Sequence, residues 1–115
     1  MKSINKEGDG MEKREPLTDS TFYIMAALTE PRHGYAIMNL IEERTQGAVK
    51  IGPASMYTII KKLLKHKWIY LHESSDSRRK TYQLTDRGRE VLDEDLEVRK
   101  LLIELAETGL KEAGA

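Results

Sequence analysis

Apolar positions recur at helical intervals through most of this chain and give way, between positions 68 and 84, to short runs rich in aromatic and β-branched residues. The first helical pattern follows Pro16-Leu17-Thr18-Asp19-Ser20, where Thr18 or Asp19 can accept a hydrogen bond from the unpaired amides of a first turn. Leu17, Ile24 and Leu28 share one face, and the helix should stop near Glu30, because Pro31 lacks an amide donor and biases its predecessor away from the α region. His33-Gly34-Tyr35 opens a second helix, apolar along Ala36, Ile37, Leu40 and Ile41 and wet along Glu42, Glu43 and Arg44, with Gly47 where a C-terminal cap is expected. Two short helices thus meet at a tight Pro-Arg-His-Gly corner.

After an extended Val49-Lys50-Ile51, Gly52-Pro53 punctuates the chain, and a third helix is predicted from Pro53 to His66 with proline in its permitted first turn. At about 100° per residue, Met56, Ile60 and Leu63 fall on one stripe, flanked by Tyr57 and Leu64, while Ala54, Ser55, Thr58, Lys61, Lys62 and Lys65 project from the opposite side. Trp68 to Glu73 and Arg79 to Leu84 read as two strands of a hairpin with the polar tip Ser74-Ser75-Asp76-Ser77, the return strand beginning Arg78-Arg79-Lys80. Thr85 should cap a long final helix that runs from Asp86 to about Thr108 and ends near Gly109.

Composition narrows the picture. A chain of 115 residues, 39% hydrophobic and 33% charged, favours one small domain. Without cysteine it forms no disulfide, no thiolate nucleophile and no Cys-based zinc site. No apolar run approaches the roughly 20 residues that span a bilayer, and residues 1–14 hold no stretch of signal-peptide length, so a cytoplasmic protein is expected, with 1–14 as a flexible arm.

Net charge is zero, which counts against a nucleic-acid partner until it is resolved by segment. Residues 1–43 net minus three and residues 85–115 net minus four, whereas residues 44–84 hold nine cations against Glu73 and Asp76, a net of plus seven. Positive charge therefore gathers on the third helix and the hairpin, the electrostatic footprint of a polyanion partner. A helix displaying serine, threonine and lysine beside a hairpin carrying Arg78-Arg79-Lys80 suits a winged helix-turn-helix, with the helix in the major groove and the hairpin on phosphates or the adjacent minor groove.

With those residues in view, the chain resembles the PadR family of bacterial transcriptional regulators, in its short form, from about Arg14 to Leu105. The carriers are Glu15-Pro16-Leu17-Thr18 leading into Phe22-Tyr23-Ile24, the corner His33-Gly34-Tyr35-Ala36-Ile37, Gly52-Pro53-Ala54-Ser55-Met56-Tyr57, Arg78 through Thr85, and Gly88-Arg89. The resemblance implies a mainly α fold with a small β-hairpin, a winged helix-turn-helix over 15–85 and a C-terminal dimerisation helix and tail over 86–115. It implies a homodimer that represses transcription by occupying double-stranded operator DNA and is released by a small-molecule effector. Carried over by position, DNA contacts fall on Ser55, Thr58, Lys61, Lys62 and Lys65, with Tyr57 at the edge, and on Arg78, Arg79 and Lys80 in the wing. Where many relatives end the recognition helix with glycine, this chain has Trp68, and no aromatic residue follows Tyr82 into the last helix.

The resemblance places the dimer interface on the first and last helices, at Phe22 and Met25 and at Val91, Leu92, Leu96, Val98, Leu102 and Leu105. Independently of it, Val91, Leu92, Leu96, Val98, Leu102, Leu105 and Leu110 make an apolar band wider than a small domain's own packing needs. Phe22, Met25 and Leu96 are candidates to wall an effector cavity. His33, His66 and His72 lack the spacing of a helical metal site, Tyr35 and Tyr57 read as core-edge aromatics, and no phosphate-cradling glycine run exists, so no enzyme, metal or cofactor is expected. The competing reading is a winged-helix module that binds protein through the same surface.

Overall fold

The computed structural model describes residues 15–73, 75–76 and 78–114. The expected arm over 1–14, and Ser74 and Ser77 of the expected tip, lie outside the described residues. Helix α1 spans Asp19–Ala27 and is capped by Thr18, whose side chain accepts from the Thr21 amide at 3.3 Å. Strand β1 is Arg32–His33, followed directly by helix α2 over Gly34–Arg44, whose cap is the His33 imidazole accepting from the Ala36 amide. Helix α3 covers Pro53–Lys65, strands β2 and β3 cover Ile69–Leu71 and Thr81–Leu84, and helix α4 covers Asp86–Gly114.

Three of these elements depart from the sequence pattern. The corner before α2 is itself a strand, so the hairpin becomes a three-stranded antiparallel sheet of order β1-β3-β2, with Arg32 opposite Tyr82 and Ile69 opposite Leu84. Two residues are too few for an alternation to register. The return strand begins at Thr81 and not at Arg78, because the Asp76 carboxylate accepts from the amides of Arg78 and Arg79 and bends that stretch into the tip. Helix α4 continues past Gly109 to Gly114, since one glycine in a run of good helix formers costs only about 1 kcal/mol.

Helices α2 and α3 end in the same way. At α2 the amides of Gln46 and Gly47 reach back to Glu43 and Glu42, and at α3 those of Lys67 and Trp68 reach back to Leu64 and Leu63. These paired bonds form Schellman caps. The left-handed residue is Gln46 (φ 55) in the first and Lys67 (φ 61) in the second, so the conformation expected at Gly47 begins one residue earlier, and Trp68 follows the left-handed position instead of occupying it.

The core lies where α1, α2, α3, the sheet and the first turns of α4 meet. Ile24, Met25, Leu28, Ile37, Met56, Leu63, Ile69 and Val91 are its fully enclosed side chains. The stripe Met56, Ile60, Leu63 is buried as its spacing predicts, and β3 turns Tyr82 and Leu84 inward on alternate positions. Beyond Asp95, α4 leaves the core and is solvent-exposed to its end apart from the half-buried Arg99.

Gly88 fixes how α4 meets the sheet. A Cβ there would lie 2.0 Å from the Trp68 carbonyl oxygen, a backbone atom with no freedom to move aside. Gly88→Ala should therefore destabilise the fold by about 3 kcal/mol, whereas Gly109→Ala, with open space around it, should stabilise α4 by about 1 kcal/mol. Chemical denaturation of the two variants checks this pair of opposite signs.

Candidate nucleic-acid interface

Every position placed on the outer face of α3 is exposed: Ala54, Ser55, Thr58, Lys61, Lys62 and Lys65. The Thr58 hydroxyl donates to the Ala54 carbonyl at 3.0 Å, which leaves its oxygen lone pairs facing out as acceptors. Tyr57 sits at the edge of this face, half-exposed, with its phenol against the first turn of α2.

The wing tip is held by its own polar side chains. Asp76 Oδ1 accepts from the Arg79 amide at 2.7 Å and the Arg78 amide at 2.8 Å, Ser75 Oγ accepts from the Thr81 amide and donates to the Thr81 carbonyl, and the His72 amide donates to the Thr81 carbonyl. The backbone is thereby fixed while the side chains of Arg78, Arg79 and Lys80 stay exposed. Among the described residues, no carboxylate lies within ion-pair distance of Lys61, Lys62, Lys65, Arg78, Arg79 or Lys80. The other basic groups are mostly spent, as Lys50 pairs with Glu42, Arg87 with Glu90 and Lys100 with Glu97.

Tyr57, Arg78, Arg79 and Lys80 line one notch of about 390 Å³, together with His33, Gly34, Tyr35 and Tyr82. The start of α2 thus belongs to the same surface as the wing and the edge of α3. Nothing in the linear pattern marks this, because the contributing segments are separated in the chain and Tyr35 reads there as an ordinary core-edge aromatic. Burial, and secondarily the neighbouring Tyr57 phenol, push the Tyr82 phenol above the usual tyrosine range, so it remains a protonated hydroxyl at neutral pH.

The second group of expected residues divides. Met25 and Val91 are wholly enclosed in the chain's own core and leave no surface for a partner, which removes both from the interface set; the same burial removes Met25 from the cavity wall. Leu96, Val98, Leu102 and Leu105 are exposed, as is Leu110, and Phe22 and Leu92 are half-buried. Leu101 and Ile103 are exposed too and extend the band, so apolar side chains cover more than half the circumference of distal α4. Phe22, Leu96, Leu102 and Ile103 line a groove of about 320 Å³ beside Arg99 and Lys100.

That groove is built on a polar clamp that the pattern of the sequence hides. Asp95, 4% exposed, accepts from the Leu17 amide at 3.0 Å and from Arg99 Nε at 2.7 Å. The Arg99 guanidinium also reaches Asp19 at 3.1 Å and the Leu17 carbonyl at 3.0 Å, and lies 4.2 Å over the Phe22 ring. Burial works against its charge, but its bonds to Asp95 and Asp19 outweigh that and raise its pKa. As an i, i+4 pair on an exposed-looking helix, Asp95 and Arg99 carry no sequence mark of this role.

The sequence profile of the transcriptional regulator PadR-like family matches residues 24–94. No curated protein matches the chain. Among solved structures, a transcriptional regulator from Clostridium thermocellum superposes with a TM-score of 0.65 at 20% identity, over 78% of this chain and 90% of that one. A PadR-like transcriptional regulator from Bacillus cereus gives 0.67 at 22%, over 79% and 90%, and the RosR protein of H. salinarum gives 0.63 at 24%, over 85% and 94%. At such identities the likeness is one of fold, and that fold is the winged helix. Among the described residues, no helix is long and apolar enough to cross a membrane.

The tip makes a pH prediction. Backbone bonds from Arg79, then Arg78, hold the Asp76 carboxyl below its ordinary value of 3.8. Because the folded-state pKa is depressed, its contribution to tip order is complete above the ordinary value and fades as pH falls through the lowered one. The Arg78 and Arg79 amide resonances should therefore stay constant across neutral pH and move together only below about 3.8, while Asp76→Asn abolishes the transition.

Proposed function

This chain belongs to the PadR-like family of transcriptional regulators, and we propose that it works as a cytoplasmic homodimeric repressor that occupies duplex operator DNA and is released by a small-molecule effector. One observation carries the DNA-binding reading: six exposed cations on α3 and the wing tip have no carboxylate within ion-pair distance among the described residues, on a helix whose opposite stripe is buried. A helix so anchored can enter the roughly 12 Å major groove, where Ser55 and Thr58 are short enough to let its backbone approach base edges. Lys61, Lys62 and Lys65 then extend to phosphates or guanines, and Arg78, Arg79 and Lys80 meet the flanking backbone. In this division residues 15–85 read DNA and residues 86–114 pair two copies, although the first turns of α4 also complete the reading unit's core.

The apolar arc of distal α4 supports the pairing. Phe22, Leu96, Val98, Leu101, Leu102, Ile103 and Leu105 are the residues a second copy would cover, and the groove between Phe22 and Ile103 is the effector wall this reading favours. Two-fold pairing imposes a pseudo-palindromic operator with half-sites about one helical turn, or a multiple of it, apart.

Duplex affinity measured against salt tests the reading. Each neutralised phosphate adds about −0.9 to the slope of log K on log salt. Lys61→Ala and Arg79→Ala should each flatten that slope by about one contact and weaken all sequences alike, while Ser55→Ala should alter preference among sites. A shallow slope that neither cation changes would favour a protein-binding module instead. Leu102→Glu should halve the sedimentation mass, and an unchanged mass would remove α4 from the interface.

A further inference from the structure

The notch between the start of α2 and the wing is lined by donors from several directions and by no carboxylate among the described residues. Tyr82, 6% exposed, lines its floor, and among the described residues its hydroxyl has no protein hydrogen-bond partner, so this donor is open to whatever occupies the notch. The neighbouring phenol of Tyr57 lies against Gly34, where a Cβ would come within 2.4 Å of the Tyr57 hydroxyl oxygen. Glycine at 34 is thus the condition for that ring to close one side of the notch. Behind it, the cap on α2 satisfies the Ala36 amide and Gly34 continues the β1–β3 pairing, but the Tyr35 amide has no acceptor within the helix, and the helix presents its positive end there. Arg79 and Lys80 stand at the rim with their side chains exposed, Asp76 being engaged with backbone amides.

We infer that this notch is a seat for one phosphoryl group, delivered either by the duplex backbone or by a free phosphate ester of nucleotide size. Donors converge from the floor, from the helix end and from the wing. That arrangement suits the tetrahedrally disposed free oxygens of a phosphoryl group better than a planar carboxylate. A volume of about 390 Å³ is at the small end of ligand-site sizes. A free ester held there would lie on the surface proposed to meet DNA, so the two would exclude each other. That consequence rests on the DNA-binding reading; the seat itself does not.

The test uses the full chain. Inorganic phosphate is titrated at constant ionic strength against chloride and followed by amide chemical shifts. The expected result is saturable movement of Gly34, Tyr35, Lys80 and Tyr82 with one dissociation constant. Tyr82→Phe should raise that constant at least fivefold and leave the unfolding midpoint unchanged or higher, because the hydroxyl has no protein partner to lose. Adenosine monophosphate distinguishes the sources. If a free ester is the occupant, it binds at least tenfold more tightly than phosphate and displaces duplex; if the backbone is, the two bind alike, and a duplex with a neutral methylphosphonate at the seat loses affinity in the wild type but not in Tyr82→Phe. Shifts that spread over all the cations without saturating, or saturable binding that Tyr82→Phe does not alter, would overturn the seat. Phosphate saturation without duplex binding would keep the seat and discard the DNA reading, and steep salt-dependent duplex binding without phosphate saturation would do the reverse.

Discussion

The relation between the cationic face and the long helix is set at one crossing, where the backbone of α4 runs against the carbonyl of Trp68. That carbonyl accepts from the Thr85 amide at 2.9 Å, the Thr85 hydroxyl donates to the Lys67 carbonyl at 2.7 Å, and the same hydroxyl oxygen accepts from the Gly88 amide at 3.0 Å. One threonine therefore caps α4 and grips the end of α3 together. The absence of a side chain at Gly88 lets the two backbones close to that distance. Because α3 leads through Lys67 and Trp68 directly into β2, whatever moves this crossing moves the proposed reading helix and the wing as one body. The left-handed Lys67 that makes the turn possible is unfavourable for a residue with a Cβ, and the paired cap bonds to Leu63 and Leu64 hold it there.

Much of this was legible in the sequence where punctuation and periodicity agree. Thr18 and Thr85 mark helix starts by the capping chemistry of their side chains, Pro53 by its fixed φ and missing amide, and Met56, Ile60 and Leu63 mark a buried face by spacing alone. What escaped has a common cause: it depends on pairings distant along the chain. Strand β1 exists only because β3 lies beside it, since two residues contain no pattern of their own. Asp95 looks like a solvated helix carboxylate until the Leu17 amide, far away in the chain, is found against it. Met25 and Val91 share the apolar character of true interface candidates, and no one-dimensional pattern tells a side chain buried within one chain from one awaiting another. The notch is the extreme case, its walls drawn from the segments around 33, 57 and 80.

A net charge of zero is a poor guide to partners in a molecule this elongated. Its principal extents are 56 × 39 × 20 Å, while at physiological ionic strength a charge is screened over about 8 Å. A carboxylate more than a screening length from a lysine does little to offset its field, so charges summed over the whole chain do not cancel locally. What a polyanion meets at close range is the local sum, and over residues 44–84 that sum is plus seven. The acidic ends act differently. On the proposed reading they disfavour any approach that lays α4 along the duplex, so the charge distribution sets orientation as well as attraction.

Distal α4 raises a separate physical question, because a helix that has left the core loses the tertiary packing from which helices in proteins draw most of their stability. Its local supports are small: the Glu97–Lys100 pair is exposed and contributes a few tenths of a kcal/mol. Against that, Leu101, Leu102, Ile103 and Leu105 are each more than half exposed, and burying such a side chain fully is worth about 1.5–3 kcal/mol. The unrealised gain in those four residues exceeds by an order of magnitude what the visible ion pair supplies. The clamp of Asp95 and Arg99 directs this helix along α1, so that Phe22 continues its apolar surface and the exposed arc is not a stray stripe but one edge of a groove. A second copy of the same chain, bringing the same arc on its own α4, would cover both grooves by one symmetric contact, which is why pairing, and not extension of the single-chain core, is the arrangement this helix favours.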